Sequence, residues 1–117
     1  MSDCIFCKII AGQIPCKKVY EDDDILAFHD INPAAPVHFL IIPKKHIPTL
    51  ADATVEDTAV LGKMMVMAGQ LAKQEGCADG FRTIINNGRV GCQEVYHVHM
   101  HVLGGDEPLG PLLTRKH

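Results

Sequence analysis

The chain has 117 residues, 47% of them hydrophobic and 21% charged, with a net charge of −3. These proportions exclude a disordered or fibrous chain, and the length leaves room for one core, so a single domain over 1–117 is expected. The 11 Lys and Arg residues are scattered apart from Lys17-Lys18, Lys44-Lys45 and Arg115-Lys116, which argues against nucleic-acid binding. No basic-then-apolar leader opens the chain and Phe39-Leu40-Ile41-Ile42 is too short to span a bilayer, so no membrane association is expected and the protein is read as cytoplasmic.

Ile5, Phe6, Ile9 and Ile10 recur at helical spacing and predict a short amphipathic helix ending at Gly12. Extended segments follow at 19–21 and 25–30, separated by the acidic turn Asp22-Asp23-Asp24, and a third at 38–42 lies beyond a proline-rich loop. The strongest helix is predicted over 55–75, with Thr54 as N-cap, Glu56 and Asp57 in its first turn and Gly76 beyond its end. Its inward stripe is Leu61, Met64, Met65, Ala68, Leu71 and Ala72. Strands at 81–86 and 96–103 complete a set of five strands and two helices. Because the strands mostly follow one another directly, with the long helix inserted once, the expected class is α+β with an antiparallel sheet.

From His97 to Leu103 the residues read His-Val-His-Met-His-Val-Leu. On a strand this alternation puts His97, His99 and His101 on one face, roughly 7 Å apart, and turns Val98, Met100 and Val102 to the core. A row of groups that titrate near neutrality suits either a phosphoryl group or a metal. For phosphoryl chemistry a neutral imidazole attacks phosphorus while its second nitrogen donates to a fixed acceptor, and the neighbouring rings supply donors to the developing charge.

The stretch also matches the His-φ-His-φ-His-φ-φ signature of the histidine triad superfamily, and Gly104-Gly105 after it resembles the branch of histidine triad nucleotide-binding proteins. The segments Cys4-Ile5-Phe6-Cys7-Lys8-Ile9-Ile10, Ala27-Phe28-His29-Asp30-Ile31, the run from Pro36 to Ile47, and Gln93-Glu94-Val95-Tyr96-His97 fall in that family's order. The resemblance implies a homodimer whose two five-stranded sheets join, and hydrolysis of purine nucleoside 5′-phosphoramidates through a nucleotidyl-histidine intermediate. By position, His99 would be the nucleophile, His101 would bind the α-phosphate and His38 would be the outer member of a histidine relay. Asp30 would take the ribose hydroxyls, and Asn86 and Gln93 would contact phosphate or ribose as amide donors. Ile5, Phe6, Ile9, Phe28, His29 and Ile31 would line the base slot, although for Ile5, Ile9, Phe28 and Ile31 plain core packing explains the apolar character equally well.

Two positions depart from the animal members of that family. Cys92 stands where a second glycine usually precedes the glutamine, and Glu94 replaces a serine that contacts the leaving group, which would place a carboxyl near the departing amine. Two other functions fit the same resemblance: a nucleotide-binding scaffold with vestigial catalysis, and a hydrolase of dinucleoside polyphosphates.

Cys4-x-x-Cys7 alone is compatible with redox, metal-binding or inert thiols. The resemblance extends to triad proteins that hold structural zinc with such a pair, the histidine after the Lys-Lys step and the first triad histidine, here His46 and His97. Four protein ligands would leave no open position for a catalytic metal-bound water. Cys16 and Cys77 are read as ordinary thiols, and His29 and His117 as non-ligands.

Overall fold

A computed structural model describes residues 3–111. Its elements are α1 (Ile5–Ile10), β1 (Lys18–Glu21), β2 (Ile25–His29), β3 (Val37–Pro43), α2 (Thr58–Gln74), β4 (Arg82–Ile85) and β5 (Met100–Gly104), with 3-10 turns at Leu50–Asp52 and Val55–Asp57. The strands form one sheet in the order β1-β2-β3-β5-β4, and every pairing is antiparallel. The expected α+β class, with five strands and two helices, is what the chain adopts. The connection through α2 carries the chain to the outer position of β4, and β5 returns between β4 and β3.

The central strands are apolar apart from His29, His38 and His101, because both faces of the sheet are covered. On one face Ile25 and Ala27 of β2, Phe39 and Ile41 of β3, and Met100 and Val102 of β5 pack beneath Met64, Ala68, Leu71 and Ala72 of α2. On the other, Leu26, Phe28, Leu40 and Ile42 pack against Phe6 of α1. The period of two along each strand therefore assigns alternate residues to α2 and to the N-terminal segment. His38, His99 and His101 share that second face with α1.

The start of the long helix follows its sequence signals. Thr54 accepts from the Glu56 amide at 3.2 Å, and the Asp57 carboxylate accepts from the Thr54 amide at 3.0 Å, a reciprocal cap that satisfies donors left over at a helix start. The first turn is nevertheless 3-10, and α-helical geometry begins at Thr58. Buried Asp57 also receives the Lys45 ammonium at 2.6 Å. Met65 is a correction: expected on the inward stripe, it is 70% exposed, because it lies at the edge of the arc that Met64, Ala68 and Leu71 centre on the sheet.

The last strand is shorter than expected. A strand over 96–103 was predicted, whereas the ladder with β3 starts at Ile41↔Met100. The next residues of β3 lead to Pro43, which has no amide proton to offer and whose carbonyl accepts from His97 Nε2 at 2.7 Å. Val98 instead donates its amide to the Ile47 carbonyl at 2.7 Å. His97, Val98 and His99 thus run beside the 43–47 segment, held by these bonds rather than by a ladder. Gly104 is required where β5 passes Cys77, since a Cβ there would lie 2.5 Å from the Cys77 Sγ. His117, read above as a non-ligand, lies outside the described residues.

Candidate functional site

A cleft of about 450 Å³ opens on the α1 face of the sheet. It is lined by His38, His99 and His101, by Asp30, Asn86 and Glu94, and by Ile5, Phe6, Ile9, Phe28, His29 and Ile31. The three faces of this cleft come from β2–β3, from α1 and from the loop between β4 and β5, so residues up to 96 positions apart in the sequence meet in one cavity.

Backbone partners fix the protons of His38 and His99, and the His38 ring fixes that of His101. The Ala34 amide donates to His38 Nδ1 at 3.0 Å, so that nitrogen carries the lone pair and Nε2 carries the hydrogen. His38 Nε2 then donates to His101 Nδ1 at 2.9 Å, which leaves the remaining N–H of His101 on Nε2. His99 Nδ1 donates to the His97 carbonyl at 2.8 Å, so a neutral His99 ring holds its lone pair on Nε2. The chain of contacts therefore presents one nucleophilic nitrogen and, on the adjacent ring, one donor. The rings of His99 and His101 lie 5.0 Å apart, closer than the strand spacing suggested, because the side chains lean together.

Burial lowers the pKa of two of these rings, His101 and His38. Desolvation, assisted by the neighbouring His99 and His38 rings, pushes the His101 pKa down to about 4, against the opposing pull of Asp30. Desolvation likewise lowers that of His38, again opposed by Asp30, whose carboxylate lies 3.5 Å from His38 Nε2. A neutral N–H, not an imidazolium, is what the cleft offers from His101 at neutral pH. Phe6 supports His99 from the helix side, with ring centroids 5.1 Å apart in an edge-to-face contact, and also meets Phe28 at 5.7 Å.

Gln93 is not brought into the cleft with the others. It is buried, and both hydrogens of its amide are committed, to the Pro48 carbonyl at 2.7 Å and the Val95 carbonyl at 2.9 Å. Its oxygen accepts from the Gly88 amide at 2.8 Å. The expected donor to phosphate or ribose has no hydrogen left to give, and the side chain instead spans the 88–95 loop from within. The spacing of Gln93 from the triad carried no sign of this, because its partners are backbone groups, two within its own loop and one, Pro48, 45 positions away. Nor did the sequence single out Ala34, whose amide sets the tautomer of His38. Cys92 sits in the same loop with φ +61°, a left-handed conformation that favours glycine over a residue with a side chain.

A second cluster lies behind the cleft. Cys4, Cys7, His46 and His97 bring four donor atoms within 4.8 Å of one another, a possible metal-binding group. The Cys4 Sγ and His97 Nδ1 are 3.4 Å apart, the Cys7 Sγ lies 3.3 Å from His46 Nδ1 and 3.6 Å from His97 Nδ1, and the two imidazole nitrogens are 3.2 Å apart. His97 donates through Nε2 to Pro43, so Nδ1 faces the cluster with a lone pair. Its ring is fully buried and burial lowers its pKa. His29 lies apart from this cluster, 3.6 Å from the Glu75 carboxylate.

A five-stranded antiparallel sheet that presents imidazoles of its β5 segment to a cleft shared with a short N-terminal helix defines a histidine triad protein. The model of the HIT domain matches residues 11–108, and the chain belongs to that family. It is 54% identical over 113 residues to a purine nucleoside phosphoramidase of Escherichia coli K12, covering 96% of this chain and 94% of that protein. It is 53% identical over 104 residues to protein HitA of Neisseria gonorrhoeae, covering 89% of this chain and 97% of that one. Among solved structures, a HIT family hydrolase from Legionella pneumophila superposes with a TM-score of 0.88 at 48% identity, covering 93% of this chain and 98% of the other. The cysteine pair precedes the residues matched by the family model.

Proposed function

We propose that the chain is a purine nucleoside phosphoramidase, a hydrolase of the P–N bond in purine nucleoside 5′-phosphoramidates. The observation that carries this reading is the ordered set of tautomers: His99 holds a lone pair on Nε2 while His101, kept neutral by burial, holds a hydrogen on its own Nε2. The likeness to the E. coli phosphoramidase supports it.

In the first step the His99 Nε2 lone pair forms a bond to phosphorus and the P–N bond of the substrate breaks. The bond pair leaves with the amine nitrogen, which takes a proton from water. His101 donates to the phosphoryl oxygen as charge develops there, and His38 holds His101 in the donating tautomer. Water then attacks phosphorus, releases His99 and yields the nucleoside monophosphate, with its proton passing to solvent. Asp30 receives the ribose hydroxyls, Asn86 the phosphate, and Phe6, Ile9, Phe28 and Ile31 flank the base, with Ile5 and His29 at the rim. Gln93 holds the loop and does not touch substrate.

The Cys4, Cys7, His46 and His97 group fits zinc. A tetrahedral zinc with ligand distances of about 2.0–2.3 Å has ligand–ligand edges of about 3.3–3.8 Å, and separations of 3.2–3.6 Å match this closely. Two imidazole nitrogens 3.2 Å apart, one of them bearing a lone pair, are favourably placed only around a shared cation or proton. Bound zinc would supply structure: it ties α1 to the His97 segment, whose carbonyl orients His99. The thiolates this requires favour a reducing compartment, hence the cytoplasm.

The functional unit in this reading is a homodimer formed by one HIT domain per chain. Its support is the edge strand β4 together with exposed Met65, Val66 and Phe81, with Phe81 lying against α2 at Gly69. The test of the activity is intact-protein mass spectrometry after rapid mixing with adenosine 5′-phosphoramidate. A transient nucleotidyl adduct on the wild type, absent from His99→Ala, is expected; substrate turnover by His99→Ala at the wild-type rate would overturn the mechanism.

A further inference from the structure

The cleft that surrounds the imidazoles contains two carboxylates, Asp30 and Glu94, and neither lysine nor arginine. That is an unusual lining for a site that handles phosphate esters, which are commonly held by cations. Asp30 is partly committed: one oxygen accepts from the Asn32 amide at 2.8 Å and the other lies 3.5 Å from His38 Nε2. Glu94 differs. It is solvent-exposed at the lip of the cleft, and among the described residues it makes no hydrogen bond or ion pair.

Its backbone is nevertheless held on both sides. Gln93 before it is fixed by three side-chain hydrogen bonds, and Val95 after it packs against the core of the α1 face. A side chain carried on a fixed backbone at the mouth of the cleft, with no internal partner, keeps its charge available to what enters. Asn86 and Glu94 stand on the wall formed by the 86–95 loop, whereas the apolar base slot is formed by α1 and β2. The group leaving phosphorus has only the loop side on which to depart if the nucleoside occupies the apolar side.

We infer that Glu94 selects the leaving group: this enzyme prefers phosphoramidates of amines that carry a second, positively charged group, and disfavours leaving groups that carry phosphate or carboxylate. The inference rests on the phosphoramidase reading and names the substrate class within it. Two unit charges about 6 Å apart at a partly solvated surface, with an effective dielectric near 40, shift an equilibrium by about tenfold. The same carboxylate acts with the opposite sign on an anionic leaving group. This would give the site a physical means of rejecting dinucleoside polyphosphates, which resemble its substrate in every part except the charge of what departs.

The experiment compares adenosine 5′-phosphoramidates of n-pentylamine and of 1,5-diaminopentane, alike in reach and differing in a terminal ammonium. The readout is the ratio of their kcat/KM values, measured for the wild type, Glu94→Gln and Glu94→Lys at about 0.05 M and 0.5 M salt. We expect a ratio near ten in favour of the diamine for the wild type at low salt, reduced at high salt. The ratio falls to about one in Glu94→Gln and below one in Glu94→Lys, whatever the absolute rates. A wild-type ratio of one, or a preference that persists in Glu94→Gln, would overturn the assignment while leaving the phosphoramidase reading intact. Failure of the wild type to hydrolyse either compound would overturn both.

Discussion

Replacing Gln93 separates a structural strut from a substrate ligand. In Gln93→Ala three side-chain hydrogen bonds disappear, at 2.7, 2.8 and 2.9 Å, from a residue that is 7% exposed. At about 0.5–1.5 kcal/mol net for each, the loss is about 3 kcal/mol. For a chain of 117 residues the unfolding entropy near the midpoint is about 0.25 kcal/mol/K, so the melting temperature falls by about 12 °C. Gln93→Glu is more informative, since it puts an oxygen where Nε2 faces two carbonyl oxygens. The carboxyl must be protonated to keep either bond, so its folded pKa lies above the unfolded value near 4.3. The stability deficit relative to the wild type is then smallest below about pH 4 and grows as the pH rises. The assay is urea unfolding of all three proteins at pH 5 and pH 8, at one protein concentration. If Gln93→Ala unfolds within about 0.5 kcal/mol of the wild type while its KM rises, the side chain is a substrate ligand and the strut reasoning is wrong.

Three further outcomes follow from the same geometry. Purified protein contains near-stoichiometric zinc by elemental analysis, and the double variant Cys4→Ser, Cys7→Ser contains none; a metal-free wild type would sink the assignment. Because the folded pKa of His101 lies near 4 and that of a free histidine near 6.5, its contribution to stability is fully present above pH 6.5 and is lost as the pH falls through 4. The loss is at most about 3 kcal/mol for this partly buried ring, is absent from His101→Asn, and is read from chemical denaturation across pH 4–7. Cys92→Gly relieves a left-handed conformation at φ +61° and raises stability by about 0.5–1 kcal/mol; an equal loss would show that the thiol is held by contacts worth more than the backbone strain.

Much of this protein was legible without coordinates, because the features concerned are local or periodic. The period of two in His-Val-His-Met-His carries its own geometry, and Met100 and Val102 do face α2 while His99 and His101 face the opposite side. Thr54 with Asp57, the acidic turn at 22–24 and Gly76 mark their element ends by short-range hydrogen bonding, which a linear string can encode. Tertiary structure decided the rest, since it depends on how the folded backbone aims particular groups at one another, near in the sequence or far. Met65 lies on the helix stripe by count but at its margin by angle. The β5 ladder stops at Met100 because Pro43, on another strand, has no hydrogen to give and spends its carbonyl on His97. The Gln93 amide turns into the loop because the Pro48 and Val95 carbonyls and the Gly88 amide surround it. The tautomers of His38 and His99 likewise follow from the Ala34 amide and the His97 carbonyl. Residue type and spacing determined which chemical groups the chain could offer; only the donors and acceptors that folding brought beside them, the Ala34 amide, the His97 carbonyl and the His38 ring, decided where each proton sits, and hence which nitrogen is able to attack and which to donate.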